Sequence, residues 1–228
     1  METNSGVLLP SMSFHVTEAY KTLRTNLLFT LAAGENKAVV ISSPLQSEGK
    51  SVTCANLATA MAQTDAKVII LDADMRKPSQ HKVFKISNIE GLSSILGGFS
   101  EVSKMIRKDI QPNLDIITSG PVPPNPSELL ESARMLDLII LLSEYYDYVF
   151  IDSPPINIVS DAVILAKKAA GLVLVTRHRQ STYSDLTKAV SKLSFADANI
   201  LGLVVNAIKE QGGFYGKYKY RYKYGDDL

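Results

Sequence analysis

Gly49-Lys50-Ser51 is the triplet in this chain best suited to hold a phosphate. It closes residues 42–51 (SSPLQSEGKS), which lie between the apolar run Ala38-Val39-Val40-Ile41 and an alternating apolar segment over 52–62. A buried strand that breaks at a turn-rich loop and resumes as a helix gathers the helix's unpaired first-turn N–H groups around an anion. Gly49 lets the backbone come close, Lys50 adds a point charge, and Ser51 offers a hydroxyl to a magnesium ion. The first glycine of the usual G-x-x-x-x-G-K-[ST] pattern falls on Pro44, so the motif is incomplete. Three carboxylates extend the chemistry: Asp72 and Asp152 end apolar runs, and Asp74 follows two residues after the first. Mg²⁺ takes oxygen ligands and keeps several waters, so Ser51, one or two of these acids and nucleotide phosphates suffice. A further acid is then free to accept a proton or orient a nucleophile, the division of labour that phosphoryl transfer uses; spacing does not say which acid does which. A strand-end Asp can also be a plain helix cap, but Asp152 precedes Ser153-Pro154-Pro155 and is a poor one.

These residues need a scaffold that brings strand ends together. Apolar runs over 38–41, 67–72, 113–118, 148–152, 171–176 and 200–206 alternate with helical patterns over 16–31, 52–62, 159–170 and 182–195. A further helix is expected from Asn125, its cap, to about Tyr146, with Pro126 in the first position and Glu128 placed for a capping-box contact. Strands apolar throughout and alternating with helices predict a three-layer α/β fold, a mostly parallel sheet covered on both faces, whose carboxyl rim binds the ligand. The chain divides into a loose arm over 1–14, a nucleotide-binding domain over 15–208 and a flexible tyrosine-rich tail over 209–228.

At 228 residues and 46% hydrophobic the chain can bury one full core, and a net charge of +1 argues against a globally basic nucleic-acid binder. The one cysteine, Cys54, reads as a small buried thiol in a reducing compartment, and His15, His81 and His178 lack the spacing of a zinc site. The first twenty residues hold no Lys or Arg and no long apolar core, and the apolar stretch over 136–142 is interrupted by Asp137. A soluble protein is expected, with any membrane connection made through a partner.

Five of the ten tyrosines, Tyr215, Tyr218, Tyr220, Tyr222 and Tyr224, alternate with Lys217, Lys219, Arg221 and Lys223 near the end of the chain. Such a segment could be an edge strand, a stacking platform for single-stranded nucleic acid, or a substrate. If the run over 200–206 is a parallel strand, the tail leaves from the rim that holds Lys50, and the nine residues from Asn206 to Tyr215 span up to roughly 30 Å. On the first helix Glu18, Lys21 and Arg24 recur every third residue; by themselves they read as a solvated, salt-bridged face.

From about Glu18 to its end the sequence closely resembles the bacterial tyrosine kinases of capsular and exopolysaccharide synthesis, in the cytoplasmic form that stands apart from its membrane activator. The likeness is carried by EAYKTLRTN (18–26), EGKS (48–51), LDADMRKP (71–78), GLSSILGG (91–98), SGPVPPNPSELL (119–130), VFIDSPP (149–155) and the tyrosine cluster, in that order. The resemblance implies autophosphorylation of the tail on those five tyrosines, mainly between neighbours in a homo-oligomeric ring, and an activator whose cytoplasmic tail recruits the protein to the inner face of the membrane. It places Glu48, Gly49, Lys50, Ser51 and Val52 at ATP, Ser51, Asp74 and Asp152 around Mg²⁺, and Asp72 as acceptor of the tyrosine proton, with Lys50 and Asp74 sharing the catalytic work. The family's E-x-x-R-x-x-R oligomer contact corresponds to Glu18, Lys21 and Arg24; here Lys21 replaces the middle arginine and loses its planar fork. The related MinD and ParA ATPases carry an extra lysine near the start of the loop where this chain has Leu45, which favours the kinase over a partitioning switch. Likeness to that wider group also makes Asn206 a candidate adenine contact.

Overall fold

The computed structural model describes residues 12–32, 34 and 36–208. The core strands form where β-branched and aliphatic residues run together: β1 (Ala38–Ser42), β2 (Val68–Asp72), β4 (Leu114–Ile117), β5 (Tyr148–Asp152), β6 (Gly171–Arg177) and β7 (Ile200–Asn206). They join β3 (Arg107–Gln111) in one seven-stranded sheet of order β3-β4-β2-β5-β1-β6-β7, parallel except for the β3–β4 pair. The expected three-layer α/β arrangement is therefore the one observed.

Alternation along each strand sends neighbouring side chains to opposite faces, and the core splits accordingly. Val39, Ile41, Ile70, Phe150 and Val173 pack on the face covered by α1 (Phe14–Leu31) and α2 (Lys50–Ala62). Val40, Ile69, Leu71, Ile151 and Leu172 pack on the other, under α4 (Leu92–Leu96), α6 (Pro126–Glu131), α7 (Ala133–Tyr145), α8 (Asp161–Ala166) and α9 (Tyr183–Phe195). Two further short helices, α3 (Gln80–Val83) and α5 (Val102–Met105), lie between β2 and β3.

Two expectations need correction, and one strand was not expected. The helix from Asn125 towards Tyr146 is two helices: Ser132 has ψ 156°, breaks the run, and caps α7 by accepting the Met135 N–H at 3.4 Å. A serine inside an apolar, helix-forming run gives little warning that it will act as a cap rather than continue the turn. Asn125 precedes α6 with Pro126 at its start, yet its side chain makes no cap bond; its Nδ2 instead donates to Glu128 Oε2 at 2.6 Å, so the capping box is absent. Finally, β3 is a polar edge strand that turns through Pro112 and Asn113 (φ 61°) into β4. Its RKDIQ sequence lacks the apolar character of the inner strands, and its charges and register shift suit an exposed edge. The opposite edge, β7, is apolar and half uncovered, with Leu203 and Val205 facing outward.

Candidate active site

Strand β1 ends at Ser42, the chain loops through residues 43–49, and α2 begins at Lys50. Gly49, with φ 93°, occupies the left-handed region, and a methyl group added there would overlap the Asn206 side-chain amide. That amide's Nδ2 donates to the Glu48 carbonyl at 3.0 Å, so the end of β7 is fastened to the loop. Glu48 itself turns inward: its buried carboxylate accepts the Leu45 N–H at 2.7 Å, the Arg177 N–H at 3.3 Å, the Thr176 hydroxyl at 3.4 Å, and the Ser181 hydroxyl. The loop's shape is thus held from inside, leaving Gly49, Lys50, Ser51 and Val52 along a cleft of about 280 Å³ that Asp74, Arg76 and Pro155 also line.

Parallel register explains why the acids meet. Asp72 and Asp152 are direct partners across the β2–β5 ladder, so their side chains leave the same face of adjacent strands. Both are fully buried, and Asp74 nearly so. Lys50 Nζ lies 2.8 Å from Asp74 Oδ2, 3.3 Å from Asp152 Oδ1 and 3.1 Å from Ser51 Oγ. Burial alone would depress the Lys50 pKa, but Asp152, Asp74 and Asp72 together carry it above the ordinary lysine value, so the ammonium is secure at neutral pH. Asp72 moves the other way for a carboxylate: burial, then the charge of Asp152, push its pKa well above the usual range against the Gln80 N–H and Lys50. One of its oxygens accepts the N–H groups of Ser79 at 3.3 Å and Gln80 at 3.0 Å; the other, Oδ1, has no hydrogen-bond partner among the described residues. A buried carboxylate with one oxygen anchored and one open, and with raised basicity, is suited to take up a proton.

Two residues that sequence reasoning passed over complete the arrangement. Gln80, fully buried at the start of α3, donates from Nε2 to Asp152 Oδ2 at 2.8 Å and to the Ser51 carbonyl at 3.0 Å. Arg76, on the rim of the cleft, bonds Asp161 through Nε at 2.9 Å and Ser127 at 2.8 Å, tying the end of β2 to the starts of α6 and α8. Arg76 belongs to the LDADMRKP stretch and was within reach of sequence reasoning; Gln80, an uncharged residue in a polar segment, gave no signal.

The residues on α1 separate. Lys21 and Glu18 pair with each other at 2.7 Å on the exposed face, whereas Arg24 reaches inward to the Ala60 carbonyl of α2 at 2.9 Å. Cys54 is buried on α2, and burial, with Asp152 and Asp72 nearby, pushes its thiol pKa well up; it is no nucleophile. Tyr215, Tyr218, Tyr220, Tyr222 and Tyr224, and the arm over 1–11, lie outside the described residues.

Nothing in the donor set argues against Mg-ATP. Among the described residues no three His, Cys, Asp or Glu side chains cluster so as to cage a metal. Ser51 Oγ and the Asp74 and Asp152 carboxylates are hard oxygen donors grouped around one ammonium, the chemistry that a Mg²⁺ shared with phosphates requires. The open end of α2 adds N–H donors for the phosphates.

A family model described as AAA domain matches residues 37–196. The chain is 36% identical over 214 residues to the putative tyrosine-protein kinase CapB of Staphylococcus aureus, spanning 93% of this chain and 91% of that protein. It is 40% identical over 204 residues to the tyrosine-protein kinase YwqD of Bacillus subtilis, spanning 88% and 86% respectively. Among solved structures, the kinase domain of the Escherichia coli tyrosine kinase ETK aligns with a TM-score of 0.85 at 33% identity, covering 96% of this chain and 88% of that one.

Proposed function

This chain belongs to the bacterial tyrosine-protein kinases, and from that membership we propose that it phosphorylates its own C-terminal tyrosine cluster in trans, within a homo-oligomeric ring, to regulate capsular or exopolysaccharide synthesis. The protein is a tyrosine-protein kinase. The observation that carries the tail assignment is the fastening of Asn206 to the Glu48 carbonyl: the strand from which the tyrosine segment departs ends against the loop that carries Lys50. A tethered substrate leaving beside the phosphates reaches a neighbour's cleft at high effective concentration.

Mg-ATP, when bound, supplies the phosphoryl group and neutralises charge on its oxygens. Gly49 and the first-turn N–H groups of α2 hold the phosphates, and Lys50 turns its ammonium from the carboxylates towards them. Ser51, Asp74 and Asp152 hold the metal. Asp72, through its open oxygen, accepts the proton of the tyrosine hydroxyl. Asn206 borders the adenine side, and Glu48 serves through its backbone and the shape it gives the loop. Positioning and fixed charge supply most of the rate.

On this reading the protein works in the cytoplasm and is drawn to the inner face of the membrane by the cytoplasmic tail of an activator; among the described residues no helix is long and apolar enough to cross a membrane. Glu18, Lys21 and Arg24 lie at the contact between subunits, with Arg24 exchanging or sharing its Ala60 partner. The test is a mass map after incubation with Mg-ATP, with and without the activator's tail. Phosphate is expected on Tyr215 to Tyr224 in the native protein and on none in Lys50→Met. Mixing Lys50→Met with an active chain truncated after Ile208 tests transfer in trans: phosphate must appear on the Lys50→Met chain. Release of free phosphate with unmodified tyrosines would overturn the reading in favour of an ATPase switch.

A further inference from the structure

Gln80 touches three parts of the site at once. Its side-chain Nε2 bonds Asp152 Oδ2 and the Ser51 carbonyl, and its backbone N–H bonds Asp72 Oδ2. Both partners of Nε2 are pure acceptors, so the amide must present its NH₂ to them, and its Oε1 is left without a partner among the described residues. The Asp152 carboxylate is fixed by this bond at one oxygen and faces Lys50 with the other at 3.3 Å. A neutral donor suits the position. Asp72, Asp74 and Asp152 already crowd carboxylate charge around one ammonium, and a further ion of either sign would change the balance that holds Lys50.

We propose that Gln80 is the positioning residue for the metal-side carboxylate: by clamping Asp152 to the Ser51 carbonyl, it keeps that carboxylate and the Ser51 hydroxyl at the mutual distance a shared Mg²⁺ needs. The proposal rests on the reading of Ser51 and Asp152 as metal-side residues. It separates the acids by function through their partners. Asp152 is oriented by a side-chain amide that a substitution can remove, whereas Asp72 is anchored by backbone N–H groups that survive any substitution at position 80 except proline.

The experiment reads nucleotide binding, not turnover. A fluorescent ADP analogue is titrated against the full-length protein without metal, then at rising Mg²⁺. Gln80→Leu keeps the metal-free affinity and raises the half-saturating Mg²⁺ by about 10-fold, the usual cost of losing a hydrogen bond behind a metal ligand. A folded Gln80→Leu with the Mg²⁺ requirement of the native protein overturns the proposal. Gln80→Asn gives an independent answer if the leucine variant does not fold. Its amide keeps the donors but is one methylene shorter, so it cannot reach both Asp152 and the Ser51 carbonyl, and its Mg²⁺ requirement should also rise. A requirement equal to that of the native protein overturns the proposal as well. Asp152→Asn distinguishes the premise: if it too leaves the Mg²⁺ requirement unchanged, the metal-side reading of Asp152 falls, and the role of Gln80 with it.

Discussion

Burial and the neighbouring Asp152 raise the Asp72 pKa above the carboxylate range, so the native protein holds that proton more tightly than the unfolded chain does. Below about pH 4 both states carry the proton and Asp72 costs nothing. As pH rises through the higher native value, the folded protein must ionise a buried group that the unfolded chain has already ionised, and stability falls. With Asp72 as the proposed base, activity runs the opposite way, because the carboxyl must be ionised to accept a proton. Asp72→Asn should therefore lower phosphorylation by about 100-fold or more, while urea melts show it gaining on the native protein as pH is raised from 5 to 8. Lys50 behaves in the contrary sense: its raised pKa gives a contribution that is complete below about pH 10 and is lost only as pH climbs through the native value. At this scale the Gly-Lys-Ser triplet and the strand-end acids were legible because charged residues at the ends of apolar runs stand out. Gln80 was hidden because its role depends on where α3 folds back, which no local pattern encodes.

Among the elements, the inner strands could be read directly from their apolar runs, since a strand buried on both faces has no choice of composition. The segment over 79–111 was opaque for the opposite reason. Its helices are of four or five residues, too short for a period to show, and its strand β3 is charged. Packing holds it instead: a methyl group on Gly91 would overlap the Thr118 carbonyl at the end of β4, so Gly91→Ala should destabilise by about 1–3 kcal/mol, read as a lower urea midpoint with unchanged slope. The junction of β2, α6 and α8 makes a second demand. Asp161 is fully buried and its charge is met by Arg76 and Ser127. Arg76 is partly exposed, which moderates its loss; Arg76→Ala should cost about 2–3 kcal/mol in the same measurement.

For the molecule as a whole, the exposed Glu18–Lys21 pair contributes about 0–1 kcal/mol to a single chain. On the proposed subunit contact, replacing both by alanine should leave thermal stability nearly unchanged and yet lower the mass measured by light scattering; an unchanged mass would contradict that contact. The tail's four cations over 217–223 give a further check. Each phosphate adds about −1.5 to −2 charges, so three reverse the segment's sign, which in the proposed ring sets neighbouring copies against one another. A fully phosphorylated sample should run at lower mass than the unmodified protein; equal masses would contradict that step.

The single amide between Asn206 and the Glu48 carbonyl has a mechanical meaning. On the proposed transfer in trans, a neighbour that draws the chain beyond Ile208 into its cleft would pull on β7 and, through this fastening, on the loop at Gly49. On the same proposal, the hold on the nucleotide and the position of the tail are then coupled through one hydrogen bond, and loosening it by Asn206→Ala should uncouple them.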